Sequence, residues 1–405
     1  MIASASGIDL DDAEQLIRGD HRGILRSAAS GGAQFRAVAT AVSEDVLVPV
    51  AGVRPRAVVL VARGGGGAAA ADVAAAVLGP DLDVPVVRAA ALPEWAGSLD
   101  LVVVLGDDAG DPALSGAVGE AVRRGAETVV TVPAEGPVGA AAGTRALTLP
   151  PRVPVLIAHR FLHHLAAALA VLATARPERC ARWLGTRDVA AGLTALADRL
   201  DGEALTDGPG REAFRNPAKA LAEAMLGHDV VFAGDDAATA ALARCASTDL
   251  LSTAGAASAG VGLVEVLAAP PVADGPGGAD SIFHDDQIDG PAAVAPRRVF
   301  VFAAARDERA VRPRMAAVPD GQLLLAASDP SASDHAESDP AASDLSTGGP
   351  PGAADAGRAG TARAADSVPL IEQCAVLAVR WQTAAGYVAA ASGTAAWGGP
   401  QGELR

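Results

Sequence analysis

Residues 56–67, RAVVLVARGGGG, decide the fold of this chain. The first seven residues form a short apolar run, which is typical of a buried strand. Glycines follow the run, and the alanine-rich segment 68–78 then predicts a helix. A buried strand that leads through a turn into a helix is the first half of a βαβ unit.

The same rhythm continues along the chain and then starts a second time. The first series has further predicted strands and a helix, at DLVVVLGDD (100–108), helix 112–124, ETVVTVP (127–133) and RALTLP (145–150). The second series comprises DVVFAGDD (229–236), helix 237–246, GLVEVLA (262–268), RRVFVFAA (297–304), a helix after RDER (306–309) and QLLLAA (322–327). Alternating strands and helices predict right-handed crossovers and parallel sheets, so we expect an α/β protein with two halves.

Helices are expected around and between the two series. Apolar spacing predicts helix at 9–43, and a helical stretch at 159–226 is interrupted near Pro177 and at DGPG (207–210). Residues 328–368 are rich in Ser, Asp, Pro, Ala and Gly and are predicted to be a disordered insert. The apolar segment 368–391 predicts a final helix that must dock into a core.

These patterns suggest a division of the chain into six segments. We expect an N-terminal helical segment, a first α/β domain, a helical connector, a second α/β domain, an insert and a C-terminal helix with its tail: 1–44, 45–175, 176–226, 227–327, 328–368 and 369–405.

Composition excludes several kinds of partner. The chain has 48 acidic and 32 basic residues and a formal charge of −16, so nucleic acid and anionic membranes are poor partners. Three widely spaced cysteines fit a reducing compartment, and the acidic N-terminus is unlike a signal peptide. The longest apolar run, 161–175, is interrupted by His163 and His164 and is shorter than a membrane span. We therefore expect a soluble cytoplasmic protein.

Four segments give a more specific resemblance. They are DHRGILRSAASGGAQ (20–34), RNPAKALAEAMLG (215–227), AGDDAATAALAR (233–244) and FHDDQIDG (283–290). In order and spacing they resemble the bifunctional phosphoglucose/phosphomannose isomerase family, whose chains hold two sugar isomerase (SIS) domains. The resemblance implies two three-layer α/β/α domains with parallel sheets, a cleft usually completed by a partner subunit in a homodimer, a sugar derivative as ligand, and chemistry without a metal or a cofactor.

The loop that binds phosphate in that family aligns with LGDDAGDPAL (105–114). Leu105, Asp107 and Gly110 stand where the family has hydroxyls, and the loop's carboxylates would repel a phosphate. Asp111 before Pro112 suits a helix N-cap, so Asp107, Asp108 and Asp111 are interpreted either as capping groups or as groups that recognise a neutral or cationic part of a sugar. The substrate-binding candidates implied by the resemblance are Asp107, Asp108, Gly110, Gly234, Asp235 and Arg244.

The catalytic candidates are a histidine and an acid. His284 matches the family's ring-opening histidine, although a structural role in a polar loop is the alternative. Asp286 or Gln287 would take the place of the family's glutamate beside it. The proton-transferring glutamate falls on Leu251, and Asp249 would reach the cleft if both residues belonged to one strand face.

Three other features have competing interpretations. The family's arginine falls near Leu156, with Arg152 and Arg160 each about one helical turn away. His159 and His163 have a spacing that can bind zinc, but no further ligand accompanies them, so packed histidines are favoured. RGGGG (63–67) lacks the GxGxxG spacing of a dinucleotide loop, which favours a flexible turn.

Two functional hypotheses follow. In the first, the protein interconverts hexose 6-phosphates, with His284 opening the ring and Asp249 moving the proton. In the second, a non-catalytic SIS homodimer binds a sugar derivative or a protein partner, because the groups for phosphate binding and proton transfer are replaced.

Overall fold

The structure is a computed structural model that describes residues 8–270, 295–318, 320–326 and 368–393. His284, Asp286, Gln287 and nearly all of the predicted insert 328–368 lie outside these residues. The chain begins with three helices, α1 Ala13–Gly19, α2 Ile24–Ala28 and α3 Gly31–Ser43. Gly23 has a φ of 66° between α1 and α2, a left-handed conformation that separates the single helix expected at 9–43 into pieces.

A five-stranded parallel sheet follows, with the order β2-β1-β3-β4-β5. Its strands are β1 Val58–Val61, β2 Val86–Ala89, β3 Leu101–Val104, β4 Glu127–Val130 and β5 Leu147–Thr148. The crossover helices are α4 Gly65–Leu78, α5 Pro112–Arg123 and α6 Gly136–Ala142. All residues of β1 and β3 are buried, as expected for central strands of a parallel sheet covered on both faces.

Four helices connect the two sheets, and a short 3₁₀-helix at Ile157–His159 precedes them. They are α7 Phe161–Ala175, α8 Pro177–Leu184, α9 Val189–Thr206 and α10 Pro217–Met225. The stretch Ile157–Ala175 is long and apolar enough to cross a membrane, with a mean hydropathy of 1.3. However, 78% of it is buried inside the protein, where α7 packs against α4 and α3, so it is a core helix.

The second sheet has four parallel strands in the order β7-β6-β8-β9. Its strands are β6 Asp229–Gly234, β7 Ser258–Gly262, β8 Arg297–Phe302 and β9 Gly321–Leu324, and its helices are α11 Ala237–Ala254, α12 Leu263–Ala268 and α13 Glu308–Met315. Helix α14, Leu370–Ala391, then packs against α9, α10 and α11. Helix α11 also packs against α4, so the two halves share one contact surface.

In the second half one predicted element is wrong and one predicted helix is too short. GLVEVLA (262–268) is not a strand: β7 is the preceding segment Ser258–Gly262, and the apolar run forms α12. The helix predicted at 237–246 continues to Ala254 and ends at Gly255, whose φ is 67°. A left-handed glycine is a common helix terminator, and here it sets the end that hydrophobic spacing missed.

Candidate functional site

Each sheet has one switch point, where consecutive crossovers leave in opposite directions. In the first sheet β1 pairs with both β2 and β3, and in the second β6 pairs with both β7 and β8. In open α/β sheets, ligands bind in the crevice outside the carboxyl ends of the strands at such points. The first switch point therefore lies after Val61 and Val104, and the second after Gly234 and Phe302.

The glycine run beside the first switch point is the tightly packed start of α4. A Cβ atom on Gly66 would lie 2.7 Å from the backbone nitrogen of Phe161, and one on Gly67 would lie 2.9 Å from that of Gly106. Gly65 has a φ of 61°. Backbone conformation requires a glycine at position 65 and close packing requires glycines at 66 and 67, so the expectation of a flexible turn is wrong.

Asp107 is the carboxylate that lies closest to this helix start. Its Oδ1 is 2.9 Å from Nε2 of His164 and 3.9 Å from Nη1 of Arg160, and its side chain is 11% exposed. The other ring nitrogen of His164 is 2.8 Å from Oγ1 of Thr131, which is fully buried. The pKa of Asp107 lies below its ordinary value: burial raises it, but His164 and Arg160 lower it by more. Asp107 is therefore held as an anion.

The other acids of this loop cap local structure. Asp108 accepts a hydrogen bond from the backbone of Gly110 at 2.7 Å. Asp111 accepts hydrogen bonds from backbone N–H groups in the first turn of α5, and it forms an ion pair with Arg63 at 3.0 Å. The capping interpretation is confirmed for Asp111, whereas Asp107 makes no such cap in the described structure and faces His164 and Arg160 instead.

His159 and His163 are buried against different partners. A ring nitrogen of His159 is 2.8 Å from Oγ of Ser27, and one of His163 is 3.0 Å from the carbonyl oxygen of Leu149. Burial lowers the pKa of His159 to about 4 and that of His163 to about 3, assisted by the charges of Arg22 and His164 respectively. Within the described residues no three His, Cys, Asp or Glu side chains form a metal-binding group. These contacts fit packed histidines.

The second switch point opens into a cavity of about 350 Å³ between the two halves. The first half contributes Asp81, the connecting helix α8 contributes Arg182 and Trp183, the second half contributes Asp236 and Arg306, and the start of α14 contributes Gln373. Nε of Arg182 and Nε1 of Trp183 lie 3.0 Å and 2.9 Å from the same oxygen of Asp81. The side-chain oxygen of Gln373 accepts a hydrogen bond of 2.9 Å from the backbone N–H of Ala305. This bond holds the start of α14 beside the end of β8.

The structure does not bring the predicted substrate-binding residues of the second half together in one place. Asp235 forms an ion pair with Arg314. A Cβ atom on Gly234 would lie 2.0 Å from the backbone nitrogen of Ala240, so glycine is needed here for α11 to pack this close to β6. Arg244 points to Asp72 on α4, 3.9 Å away, and is absent from the cavity lining. Arg182, Trp183 and Arg306 were missed, although Arg306 is the first charged residue after a buried strand, which is a usable signal.

Asp249 and Leu251 lie on α11, so the assumption that they share a strand face is wrong. Two residues along a helix point in nearly opposite directions. Leu251 is 56% exposed and Asp249 is 2% exposed. Asp249 accepts hydrogen bonds from Trp381 at 2.9 Å and Gln382 at 3.4 Å.

No protein-family model matches the chain, and neither does any curated protein. Solved structures do. A candidate phosphosugar isomerase from Bacillus subtilis superposes with a TM-score of 0.55 at 15% identity, over 90% of this chain and 95% of that chain. A candidate phosphosugar isomerase from Silicibacter pomeroyi DSS-3 superposes with a TM-score of 0.51 at 18% identity, over 73% of this chain and 81% of that chain. A candidate sugar-binding protein from Salmonella typhimurium LT2 superposes with a TM-score of 0.50 at 15% identity, over 74% of this chain and 87% of that chain.

These similarities define the class of fold. With its two parallel sheets and surrounding helices, the chain has the double SIS fold, as the resemblance predicted.

Proposed function

We propose that this protein is a SIS-fold protein that binds a carbohydrate derivative at the second switch point and does not interconvert aldose and ketose. The observation that carries the proposal is the cavity of about 350 Å³ between the two halves. Its volume falls in the range of about 300–1,000 Å³ that is usual for small-molecule sites. The described neighbours are candidate phosphosugar isomerases and a candidate sugar-binding protein, which supports a sugar as the ligand.

The lining of the cavity matches the hydrogen-bonding groups of a sugar. Asp81 and Asp236 offer acceptors to hydroxyl groups, and Arg182 and Arg306 offer several donors in a planar arrangement. The residues come from both halves and from α14, so a bound ligand would link them. This supports stabilisation of the whole molecule by the ligand.

The absence of isomerisation is proposed from the surroundings of the acid. A proton-transferring group must come within hydrogen-bond reach of the substrate. Asp249 is enclosed by Trp381, Gln382 and Cys245, and the exposed residue two positions along is Leu251. We therefore propose a structural role for Asp249.

A ligand titration tests the binding site. Glucose, glucose 6-phosphate, mannose 6-phosphate and fructose 6-phosphate are titrated against the protein, and we expect at least one to raise the melting temperature saturably. Arg306→Ala should weaken that ligand about tenfold or more, since a hydrogen bond to a charged group contributes about 1.5–3 kcal/mol. Arg306 is 60% exposed, so the variant should fold normally.

The matched control is Arg309→Ala, an exposed arginine three positions along on α13 that does not line the cavity. It should leave the affinity unchanged. Equal weakening in both variants, or no response to any sugar, would contradict the proposed site.

A coupled isomerase assay tests the absence of catalysis. The wild-type protein with each hexose 6-phosphate should give no turnover above the rate without protein. Turnover that disappears in His284→Ala would instead establish the isomerase, the second candidate function, which the described neighbours favour.

We further propose the homodimer, the cytoplasmic location and the six segment boundaries given above. For the dimer, we expect light scattering of the purified full chain to give a mass near twice 40.1 kDa.

A further inference from the structure

The C-terminal end of α9 brings two carboxyl groups together in the core. Asp207, the residue after α9, is fully buried, and its Oδ1 accepts a hydrogen bond of 3.1 Å from the backbone N–H of Ala218 on α10. Its Oδ2 is also buried and has no hydrogen-bond partner among the residues that the structure describes. Glu203 lies one helical turn earlier on the same face of α9, within hydrogen-bonding range of Asp207. Two carboxyl groups can form a hydrogen bond with each other only if one of them keeps a proton.

The other charged and titratable groups at this junction leave the two acids with one cation. Arg380 of α14 donates to Glu203 at 2.7 Å and to a backbone carbonyl oxygen after β9 at 3.0 Å. Lys219 of α10 is fully buried as well, but its ammonium group donates to two backbone carbonyl oxygens of the loop after α9. Tyr387 of α14 donates its hydroxyl group to the backbone carbonyl oxygen of Asp207 at 2.6 Å. One guanidinium group therefore faces two carboxyl groups.

This imbalance determines the protonation of the pair. Two buried like charges side by side are unfavourable, so one of the two acids keeps a proton. Burial and the charge of Glu203 raise the pKa of Asp207 from 3.8 to about 8, although the charge of Arg380 lowers it. At neutral pH the pair therefore carries a single negative charge, which Arg380 balances.

We propose that Asp207 and Glu203 share one proton that holds α9 against α14, and that loss of this proton in the mildly alkaline range loosens α14. Without the proton, two buried carboxylates stand beside one guanidinium group. Their repulsion acts directly at the contacts that Arg380 and Tyr387 make with α9 and its end. The inference concerns the docking of α14 and does not depend on a ligand at the second switch point.

The pH dependence of urea unfolding tests the shared proton. The folded protein keeps a proton on Asp207 between about pH 4 and pH 8, where the unfolded chain has lost it, so stability falls as the pH rises through this range. Between pH 5 and pH 7 the ratio of the unfolding constants of wild type and Asp207→Asn should therefore rise about tenfold per pH unit, and it should be constant above about pH 8. Glu203→Gln should remove the same pH dependence, because Arg380 can then balance an ionised Asp207.

The matched control is Glu212→Gln, at an exposed position of the same connector, which should keep the pH dependence of the wild type. Asp249 is present in all four proteins, so its own titration cancels in these ratios. A ratio of wild type to Asp207→Asn that does not change with pH would overturn the proton on Asp207. A Glu203→Gln protein with the pH dependence of the wild type would overturn its sharing.

The loosening of α14 has a separate spectroscopic test, because Tyr387 is the only tyrosine of the chain. Burial raises the pKa of its hydroxyl group above the ordinary value, and the charge of Asp207 raises it further. If α14 loosens, the hydroxyl group reaches water, and the ultraviolet absorbance of tyrosinate should appear at a lower pH in the wild type than in Asp207→Asn. If α14 stays docked, the charge of Asp207 delays this absorbance in the wild type. That reversed order, or identical titrations of the two proteins, would overturn the inference.

Discussion

Asp249 is a carboxyl group enclosed in the core between α11 and α14. Burial raises its pKa to about 7, although hydrogen bonds from Trp381, Gln382 and Cys245 lower it, and the charge of Asp107 raises it further. Its ordinary value is 3.8. The folded protein therefore keeps a proton on Asp249 at pH values where the unfolded chain has lost it.

This difference predicts a pH-dependent effect of Asp249→Asn on stability. Between about pH 4 and pH 7 the native state holds the extra proton, so the contribution of Asp249 to the free energy of unfolding falls as the pH rises. Above about pH 7 the buried Asp249 is charged, and its unfavourable contribution to the free energy of unfolding no longer changes with pH. The neutral asparagine avoids this loss, so the variant should gain stability relative to wild type across that window, by about 1.4 kcal/mol per unit of pKa difference.

Urea unfolding of both proteins at several pH values measures the effect. Glu223→Gln, at an exposed position of α10, is the control and should change stability by about 0.5 kcal/mol or less at every pH. A constant difference between wild type and Asp249→Asn over the whole range would show that Asp249 is ionised in the folded protein at all these pH values.

At the scale of elements, local patterns were sufficient where one signal dominated. The buried runs of β1, β3 and β8 were predicted, and so was the start of α5, because Asp111 and Pro112 form a strong N-terminal signal. The short apolar run of α12 was misassigned, since a run of this length fits a strand or a buried helix equally well. β2 was missed because all of its residues are only partly buried and it lies at the sheet edge.

The candidate site was less predictable because its groups meet through the fold. Asp107 and Asp111 look equivalent in the sequence, but Asp107 contacts His164 and Arg160, which are 57 and 53 positions away. Asp111 also pairs with Arg63, 48 positions away, but its capping bonds come from backbone groups two and three positions along. Sequence spacing reveals the second kind of contact and not the first.

At the scale of the whole molecule, α14 joins the two halves. The ring of Trp381 lies 5.8 Å from that of Phe161 on α7 and 5.5 Å from that of Phe302 on β8. Arg380, the preceding residue, donates to Glu203 on α9 at 2.7 Å and to the carbonyl of Leu325 after β9 at 3.0 Å. One helix therefore contacts elements attached to both sheets, and we expect the two halves to unfold together.

Trp381→Ala tests this linkage. Removal of a large buried aromatic side chain costs about 3–5 kcal/mol, and this variant also leaves Asp249 without its shortest hydrogen bond. Because the ring contacts both halves, urea unfolding followed by circular dichroism should remain a single transition that moves to lower denaturant. Trp95→Ala, at a position that is 47% exposed, is the matched control and should cost about 1 kcal/mol or less. Two separate transitions in the wild-type protein, or similar losses in the two variants, would show that α14 does not couple the halves.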